Sequence, residues 1–265
     1  MYSAFVLANK YLLYYLRSSN GRGHGIHSPF VYDFVRNVLL DKRVFYDFDA
    51  IEQCRNALLS SQTLIQIDDF GAGSRTEQSS LRRVADIAKS SLKPKKYGQL
   101  IFRIVNYYGS QNILELGTSL GITTAYMASA NRTANIYSLE GAAEVAKIAR
   151  NNFIALQLSQ IEIVQGNFDE ILDSVIFKMK DIDLIFVDGN HRYEPTIRYF
   201  QQLLSKIQEG SIIIFDDIHW SKEMEQAWTT IQKHPDVTLT IDLFFIGLVF
   251  FRKEIKAKQH FHIRY

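Results

Sequence analysis

A glycine-punctuated turn follows an apolar run near the middle of the 265-residue chain, in the segment NILELGTSLG at 112–121. The apolar run carries one acidic residue, Glu115, and the spacing E-x-G-x-x-x-G places Gly117 and Gly121 after it. Glycine lets the backbone turn tightly and come close to a ligand, and the helix predicted next would point its N-terminal amides at the turn. The segment therefore predicts a nucleotide-type cofactor site. The residues assigned to it here are Glu115, Gly117, Thr118, Ser119 and Gly121.

A second acidic residue, Glu140, ends the next predicted strand, 25 positions after Glu115. An acid about 20 residues beyond such a turn commonly accepts hydrogen bonds from two ribose hydroxyls. Dinucleotide enzymes favour G-x-G-x-x-G, so the glycine spacing favours S-adenosylmethionine over NAD. In the structural alternative, Glu115 satisfies backbone amides and Glu140 caps the following helix. Further cofactor contacts are assigned to Gly141, Asn167, Phe168 and Asp188, with the Asn167 amide and the Phe168 ring at the adenine.

Three aspartates follow the fourth and fifth predicted strands: Asp188 after 182–187, and Asp216 and Asp217 after 211–215. Carboxylates gathered at one sheet edge repel each other unless a hard cation or a shared proton relieves them, and oxygen ligands favour Mg²⁺ over Zn²⁺. His191, three positions beyond Asp188, is the candidate general base because imidazole titrates near neutral pH. Alternatively, the aspartates cap turns or the next helix and bind no metal.

The elements that must position these residues alternate between strand and helix from residue 98 onward. Five apolar runs predict parallel strands at 112–116, 135–139, 161–164, 182–187 and 211–215. The runs at 237–244 and 246–252 lie too close together for a crossover helix, so they are expected to pair antiparallel. The predicted fold is α/β, a Rossmann-like, seven-stranded, mostly parallel sheet with a C-terminal antiparallel hairpin.

Residues 1–95 are expected to form a helical N-terminal cap that contributes to substrate binding, and 96–265 the cofactor-binding domain. Helical patterns occur at 4–16, 29–40 and 51–60. The loop at 21–30 is rich in glycine and contains His24 and His27, which, with His219, are further polar candidates for the site. The glycine-rich joint at 68–75 is rejected as a cofactor turn because no β-α unit follows it.

Composition narrows the class of protein. With 30 basic and 28 acidic residues the formal net charge is +2, which gives no electrostatic footprint for nucleic acid or an anionic membrane, so a small-molecule acceptor is expected. One cysteine, Cys54, excludes an internal disulfide and fits a reducing cytoplasm. The longest apolar stretch, 243–251, is shorter than the roughly 18 residues of a membrane helix, and no secretory signal is recognised, so a cytoplasmic location is expected.

The segments ILELGTSLG and IYSLEGA resemble the first two motifs of the class I S-adenosylmethionine-dependent methyltransferases, and the resemblance covers 98–252. It implies that Glu115 and Gly117 lie near the methionine part of the cofactor, Glu140 near the ribose and Asn167 near the adenine. The closing hairpin is also a feature of that family. An NAD enzyme is disfavoured by the glycine spacing and by this hairpin.

The three aspartates resemble the ligands of the metal-dependent O-methyltransferases of the catechol and sugar-modifying type. The resemblance implies that Asp188, Asp216 and Asp217 bind Mg²⁺. The sequence departs from both groups just after Asp188. Catechol-type relatives have a lysine at the position of His191, and sugar-modifying relatives have an aspartate at the position of Asn190.

The expected function is magnesium-assisted methyl transfer to a hydroxyl of a small molecule. Two alternatives stay open: a metal-independent methyltransferase that acts on nitrogen or another acceptor, and a non-catalytic interaction module whose N-terminal helices bind a partner. An exposed apolar face at 4–16 together with the lack of an enclosed acceptor pocket would support the second alternative. A homodimer is compatible with the sequence.

Overall fold

The computed structural model describes residues 1–19, 21, 27–67 and 80–265, which form helices around a mostly parallel sheet of eight strands. The helices are α1 (Ala4–Arg17), α2 (Pro29–Phe34, continued by a π-helical turn Val35–Leu39), α3 (Asp47–Ser60), α4 (Val84–Ser91), α5 (Lys95–Tyr108), α6 (Ile122–Ala130), α7 (Ala143–Ala155), α8 (Phe168–Lys178), α9 (Tyr193–Leu203, continued by a 3₁₀ turn Leu204–Lys206) and α10 (Lys222–Lys233). The strands are β1 (Leu64–Ile67), β2 (Ser80–Arg83), β3 (Asn112–Leu116), β4 (Asn135–Glu140), β5 (Ile161–Gln165), β6 (Ile182–Val187), β7 (Ile207–Asp216), β8 (Leu239–Asp242), β9 (Ile246–Phe250) and β10 (Gln259–His262). The predicted α/β class is confirmed.

The chain divides into two compact units. The central unit is Lys42–Lys178, and the terminal unit combines Met1–Asp41 with Met179–Tyr265. In the central unit, β4 pairs in parallel with β3 on one side and with β5 on the other. In the terminal unit the strand order is β10-β8-β9-β7-β6, and β9 is antiparallel to both β7 and β8. The hairpin predicted at the C-terminal end of the sheet is therefore confirmed as β8 and β9.

Two features of the sheets differ from the prediction. The strand β10 extends the edge of the sheet beside β8, so there are eight strands in place of seven. Its sequence, QHFH, is polar and its side chains are only partly covered, so hydrophobicity gave no signal for it. The region predicted as a helical cap also contains β1 and β2, which pair antiparallel in the central unit. Both are four-residue strands, too short for a clear alternating pattern.

Most of β3 and the second half of β7 are buried, which indicates that the sheet is covered on both faces there. Four of the five β3 residues and six consecutive residues of β7 are buried, and these runs are rich in leucine, isoleucine and phenylalanine. Burial on both faces explains why they read as continuous apolar runs in the sequence. No helix in the described ranges has both the length and the apolar character needed to cross a bilayer.

In the central unit, close packing of α5 on α6 depends on a glycine. A Cβ atom added at Gly98 would lie 2.5 Å from two ring carbons of Tyr126, which is fully buried. The ring cannot shift freely because the Tyr126 hydroxyl donates to Glu52 at 2.6 Å, and Arg55 also donates to that carboxylate. Gly98 therefore fixes the distance between the two helices.

We expect Gly98→Ala to lower the free energy of unfolding by about 1–2 kcal/mol, measured by urea titration with circular dichroism. The added methyl group overpacks the contact with Tyr126, and this cost exceeds the gain of up to about 1 kcal/mol from replacing a helical glycine. Gly210→Ala is the control, since no described atom lies within 4 Å of its added Cβ. Equal stability of the two variants would contradict this account.

In the terminal unit, a charged network joins α1 to α10 and β8. The Glu225 carboxylate accepts hydrogen bonds from the Lys10 ammonium group at 2.9 and 3.0 Å and from the Tyr2 hydroxyl at 2.8 Å. The His219 ring reaches Glu225 at 3.2 Å through Nδ1 and the buried Asp242 carboxylate at 2.8 Å through Nε2. Burial alone would lower the pKa of His219, but the two carboxylates outweigh it, and the pKa is raised. The network therefore favours the imidazolium, which donates to both acids.

This raised pKa predicts a pH-dependent contribution to stability. The contribution is complete below the unfolded-state pKa of about 6.5 and is lost as pH rises through the higher folded-state pKa. The other groups that face the network are His262, whose Nε2 lies 3.8 Å from Asp242, and the Tyr14 ring. We expect wild type to be more stable than His219→Gln by about 1–2 kcal/mol at pH 6, and the difference to shrink towards pH 9, in urea titrations. A difference that does not change with pH would contradict the imidazolium assignment.

Candidate functional site

The cofactor side of the candidate site is built on β3 and β4. These strands run parallel with Leu116 opposite Leu139, so Gly117 and Glu140 leave the sheet at the same edge. The backbone N–H groups of Gly117 and Thr118 both donate to the Leu139 carbonyl at 3.0 Å, which ties the turn to β4. The predicted glycine turn is thus placed beside the end of the second strand of the unit's parallel sheet.

Two glycines make this turn because its backbone lies in the left-handed region. Gly117 has a φ of 107° and Gly121 a φ of 81°, and Ser119 between them also has a positive φ of 47°. A side chain at Gly121 would meet the Phe153 ring at 2.6 Å. The glycine spacing that was noticed in the sequence therefore reflects both torsion angles and close packing against α7.

Glu140 joins the turn after β3 to the start of α7. One carboxylate oxygen accepts a hydrogen bond from the Ser119 N–H at 2.8 Å, and the other accepts one from the Ala142 N–H at 2.9 Å. Burial raises the pKa of Glu140, and backbone hydrogen bonds from Ala142, Ser119 and Gly141 act against that rise. The residue remains partly exposed, so an acceptor is held at the strand end where the ribose contact was predicted. The alternative that Glu140 caps the following helix agrees with the hydrogen bond from the Ala142 N–H, which lies directly before α7.

Glu115 lies beneath the turn, in the interior of the central unit. Its carboxylate is fully buried and accepts hydrogen bonds from the Thr124 hydroxyl at 2.5 Å and from the Ser138 hydroxyl. The hydroxyls of Thr118 and Ser138 are 2.5 Å apart. Glu115 therefore joins β4 and α6 beneath the turn by accepting hydrogen bonds from hydroxyl groups. In the structural alternative, the donors to Glu115 were backbone amides.

Asn167 and Phe168 lie at the end of β5. This strand pairs in parallel with β4, with Glu140 opposite Gln165, so both residues follow at the same edge of the sheet as the Glu140 carboxylate. The side-chain oxygen of Asn167 accepts a hydrogen bond from the Asp169 N–H at 3.1 Å at the start of α8. Phe168 is partly exposed. The structure thus brings the predicted cofactor residues of the central unit to the ends of three adjacent strands.

The terminal unit holds the acidic group. Val187 of β6 lies opposite Phe215 of β7 in parallel register, so Asp188 and Asp216 follow at one edge. Asp188, His191 and Asp216 each offer a ligand atom, and these atoms lie within 4.8 Å of one another. We call these residues the acidic triad. Asp216 is buried, whereas Asp188 and His191 are partly exposed.

The donor set of the acidic triad fits a divalent cation. Two carboxylates and one imidazole can bind Mg²⁺ or Mn²⁺, and the imidazole makes the set more suitable for Mn²⁺ than an all-oxygen site would be. The backbone at Asn190 has a φ of 59°, and this turn precedes His191, whose Nε2 lies 3.5 Å from Asp188 Oδ1. His191 was predicted as a base and not as a ligand. The three-residue spacing from Asp188 is visible in the sequence, but the turn at Asn190 that brings the ring back to Asp188 is not.

Asp217, the third predicted ligand, lies outside the acidic triad. Its backbone has a φ of 53°, its N–H donates to the Phe245 carbonyl at 2.7 Å and its carbonyl accepts from the Trp220 N–H at 2.9 Å. The cap of α10 is Ser221, whose hydroxyl accepts from the Met224 N–H at 3.2 Å, and not Asp217. Asp217 therefore shapes the loop after β7 through its backbone.

The other predicted polar candidates have different positions. His219 belongs to the network with Glu225 and Asp242, and His27 is exposed. His24 and the joint at 68–75 lie outside the described residues.

Comparison with known proteins identifies the type of domain. The family described as a methyltransferase domain matches residues 114–218, a segment that contains Glu140 and the acidic triad. A catechol O-methyltransferase from Niastella koreensis is 30% identical over 131 residues, which are 48% of this chain and 58% of that protein. The match thus spans a little over half the length of this relative.

Solved structures show the same fold. The O-methyltransferase from Bacillus cereus, in complex with SAH, has a TM-score of 0.56 and 21% identity, with 83% of this chain and 97% of that chain covered. The SAH-bound methyltransferase PaMTH1 from Podospora anserina has a TM-score of 0.58 and 13% identity, with 96% and 98% covered. Residues 114–218 thus match the methyltransferase domain family, and the likeness to these solved structures shows that the chain shares their fold.

Proposed function

We propose that this protein transfers the methyl group of S-adenosylmethionine to a hydroxyl of a small molecule, with Mg²⁺ or a similar divalent cation at the acidic triad. The observation that carries the proposal is the triad itself, in which Asp188, His191 and Asp216 gather their ligand atoms within 4.8 Å. Two carboxylates so close to each other are costly without a positive charge. The ends of β6 and β7 thus provide a site for a cation.

The central unit would hold the methyl donor. Glu140 offers carboxylate oxygens to ribose hydroxyls, and the turn at Gly117 lets the backbone approach the methionine part of the donor. Asn167 and Phe168 would contact the adenine. Glu115 supports these contacts from below by holding Thr124 and Ser138.

The acceptor needs an oxygen nucleophile, and a phenol is mostly protonated at neutral pH because its pKa is about 10. A bound divalent cation would stabilise the deprotonated oxygen and help to orient it. Asp188 and Asp216 would bind that cation, and we assign His191 to the same task because its ring lies with the two carboxylates. The region 1–95 would supply acceptor specificity.

A second candidate function is methyl transfer without a metal. The observation in its favour is the contact of His191 Nε2 with Asp188 Oδ1 at 3.5 Å, because a histidine paired with a carboxylate can serve as a general base. The acceptor would then be a nitrogen or another group that needs only proton removal. Turnover that is unchanged by a chelator would favour this candidate.

We expect Glu140→Gln to weaken binding of S-adenosylhomocysteine by about 10- to 100-fold in isothermal titration calorimetry, because hydrogen bonds to a charged group are worth about 1.5–3 kcal/mol. Glu162→Gln is the control, since Glu162 is exposed on the edge strand β5 and should bind like wild type. Unchanged affinity in Glu140→Gln would contradict the ribose assignment.

We expect Asp216→Asn to lose binding of Mn²⁺, followed by electron paramagnetic resonance, and to lower turnover by about 100-fold or more while affinity for S-adenosylhomocysteine stays within about twofold. Asp217→Asn serves as a matched control because Asp217 lies outside the triad, and it should keep Mn²⁺ binding. If Asp217→Asn lost Mn²⁺ binding and Asp216→Asn kept it, Asp217 would be the metal ligand and Asp216 would not.

We expect His191→Ala to raise the Mg²⁺ concentration for half-maximal activity by about tenfold or more, since loss of a metal ligand, or of a group that hydrogen-bonds to one, has an effect of at least this size. The activity is measured as S-adenosylhomocysteine released with a panel of catechols and other phenols. An unchanged Mg²⁺ requirement with loss of the acidic limb of the pH–rate profile would return His191 to the role of general base.

A further inference from the structure

The N-terminal helix α1 has apolar residues on both sides, and Phe5 and all of its leucines except Leu7 lie on the side that faces away from the terminal unit. The residues that pack inward are Leu7, Lys10, Tyr11 and Tyr14, which are all partly covered. The outward face consists of Phe5, Ala8, Asn9, Leu12, Leu13 and Leu16, which are all exposed. Every residue of α1, all of which the structure describes, is at least partly exposed. An ordinary surface helix has one apolar stripe, which faces the core, so the outward stripe of α1 is a second one that the terminal unit leaves uncovered.

The helix is nevertheless firmly attached, so its orientation follows from specific contacts. Tyr2 N–H donates to the Trp220 carbonyl at 3.0 Å before the helix, and Ser19 N–H donates to the His262 carbonyl at 2.8 Å after it. Between these ends, the Tyr14 hydroxyl lies 2.8 Å from the Asp242 carbonyl oxygen and 2.6 Å from the Ile263 carbonyl oxygen. The Lys10 ion pair with Glu225 adds a charged contact. Turning the apolar face inward would break all of these contacts.

We propose that the outward face of α1 binds the same face of a second copy of this chain, with the two helices antiparallel across a two-fold axis. In that arrangement the two-fold axis passes between residues 10 and 11 of each helix. Residues at equal distances on either side of this point then face each other, so the outward face is complementary to itself. Phe5 of one copy meets Leu16 of the other, Ala8 meets Leu13, and Asn9 meets Leu12. A large side chain thus lies over a small one at the second pair, which suits the close approach of two helices.

The exposed area has the size that a specific but reversible dimer needs. Phe5 is 75% exposed, Leu16 67%, Leu12 56% and Leu13 51%. At roughly 150–200 Å² for each large apolar side chain, the stripe offers on the order of 500 Å² per copy. Two copies then bury roughly 1,000 Å² in total, at the lower end of specific interfaces.

The polar groups of α1 favour a second copy over a membrane surface. Asn9 lies in the middle of the stripe, where a lipid interior would leave its amide without hydrogen bonds, whereas in the antiparallel pair the Asn9 amides of the two copies lie next to the two-fold axis and can hydrogen-bond to each other. The helix has no acidic residue in its first turn, and the Lys10 charge is already paired with Glu225. Arg17, in the last turn, is then the one basic side chain of α1 left for an anionic headgroup layer, whereas helices that bind such layers carry several on their polar face.

The test is sedimentation velocity on the full chain from about 1 to 100 µM, with circular dichroism and thermal melts to confirm that each variant is folded. We expect wild type to form a dimer with a dissociation constant in the micromolar range. Leu16→Glu and Phe5→Lys should each raise that constant by about 100-fold because each buries an unpaired charge. Val44→Glu, at an exposed apolar position of the central unit, is the control and should leave it unchanged.

Mixing the two charged variants tests the direction of the helices. In the antiparallel arrangement a mixed pair joins Lys at position 5 of one chain to Glu at position 16 of the other, and the second contact stays native, so the mixture should dimerise more tightly than either variant alone. A parallel arrangement gains no such pair. A monomer at every concentration, a dimer that Leu16→Glu does not weaken, a mixture without recovery, or binding to phosphatidylglycerol vesicles that Leu16→Glu abolishes would each overturn the proposal.

Discussion

In-register pairing of parallel strands is the constraint on which the candidate site depends. In the central unit, Leu116 lies opposite Leu139, and in the terminal unit, Val187 lies opposite Phe215. Each buried apolar pair brings the next residues of both strands to the same level at the sheet edge. Hydrophobic burial of the strands therefore places Gly117 beside Glu140 and Asp188 beside Asp216, although these residues are distant in the sequence.

Glu140 and the acidic triad have different surroundings. Glu140 receives backbone N–H groups from the turn and from the start of α7, so its environment is arranged for a hydrogen-bond acceptor. The acidic triad brings two carboxylates and a histidine together, with their ligand atoms within 4.8 Å of one another. A polar ligand suits the first environment and a cation suits the second. This difference in local chemistry is the reason that the proposed function divides donor binding and acceptor activation between them.

The sequence predicted the parts of the structure that depend on local pattern. The strands β3 and β6 occur at their predicted residues because buried strands are continuous apolar runs, and the turn at Gly117 was visible because only glycine accepts such angles easily. The strand β10 was missed because an edge strand can be polar. The place of His191 in the triad was missed because it depends on the turn at Asn190, a torsion angle that residue type alone does not specify. The exposed apolar face of α1 entered the sequence analysis only as a condition, since the helical periodicity is the same whichever face is covered.

The central claim is that the Glu140 carboxylate, held between the turn after β3 and the start of α7, accepts the ribose of the methyl donor. Amide resonances of Ser119 and Ala142 report on it directly, because these N–H groups donate to that carboxylate. In a titration of ¹⁵N-labelled protein with S-adenosylhomocysteine, the account predicts that both resonances shift in a saturable manner and that Glu140→Gln removes the response. Saturable binding that leaves both amides unmoved, or the absence of any binding with and without Mg²⁺, would contradict it.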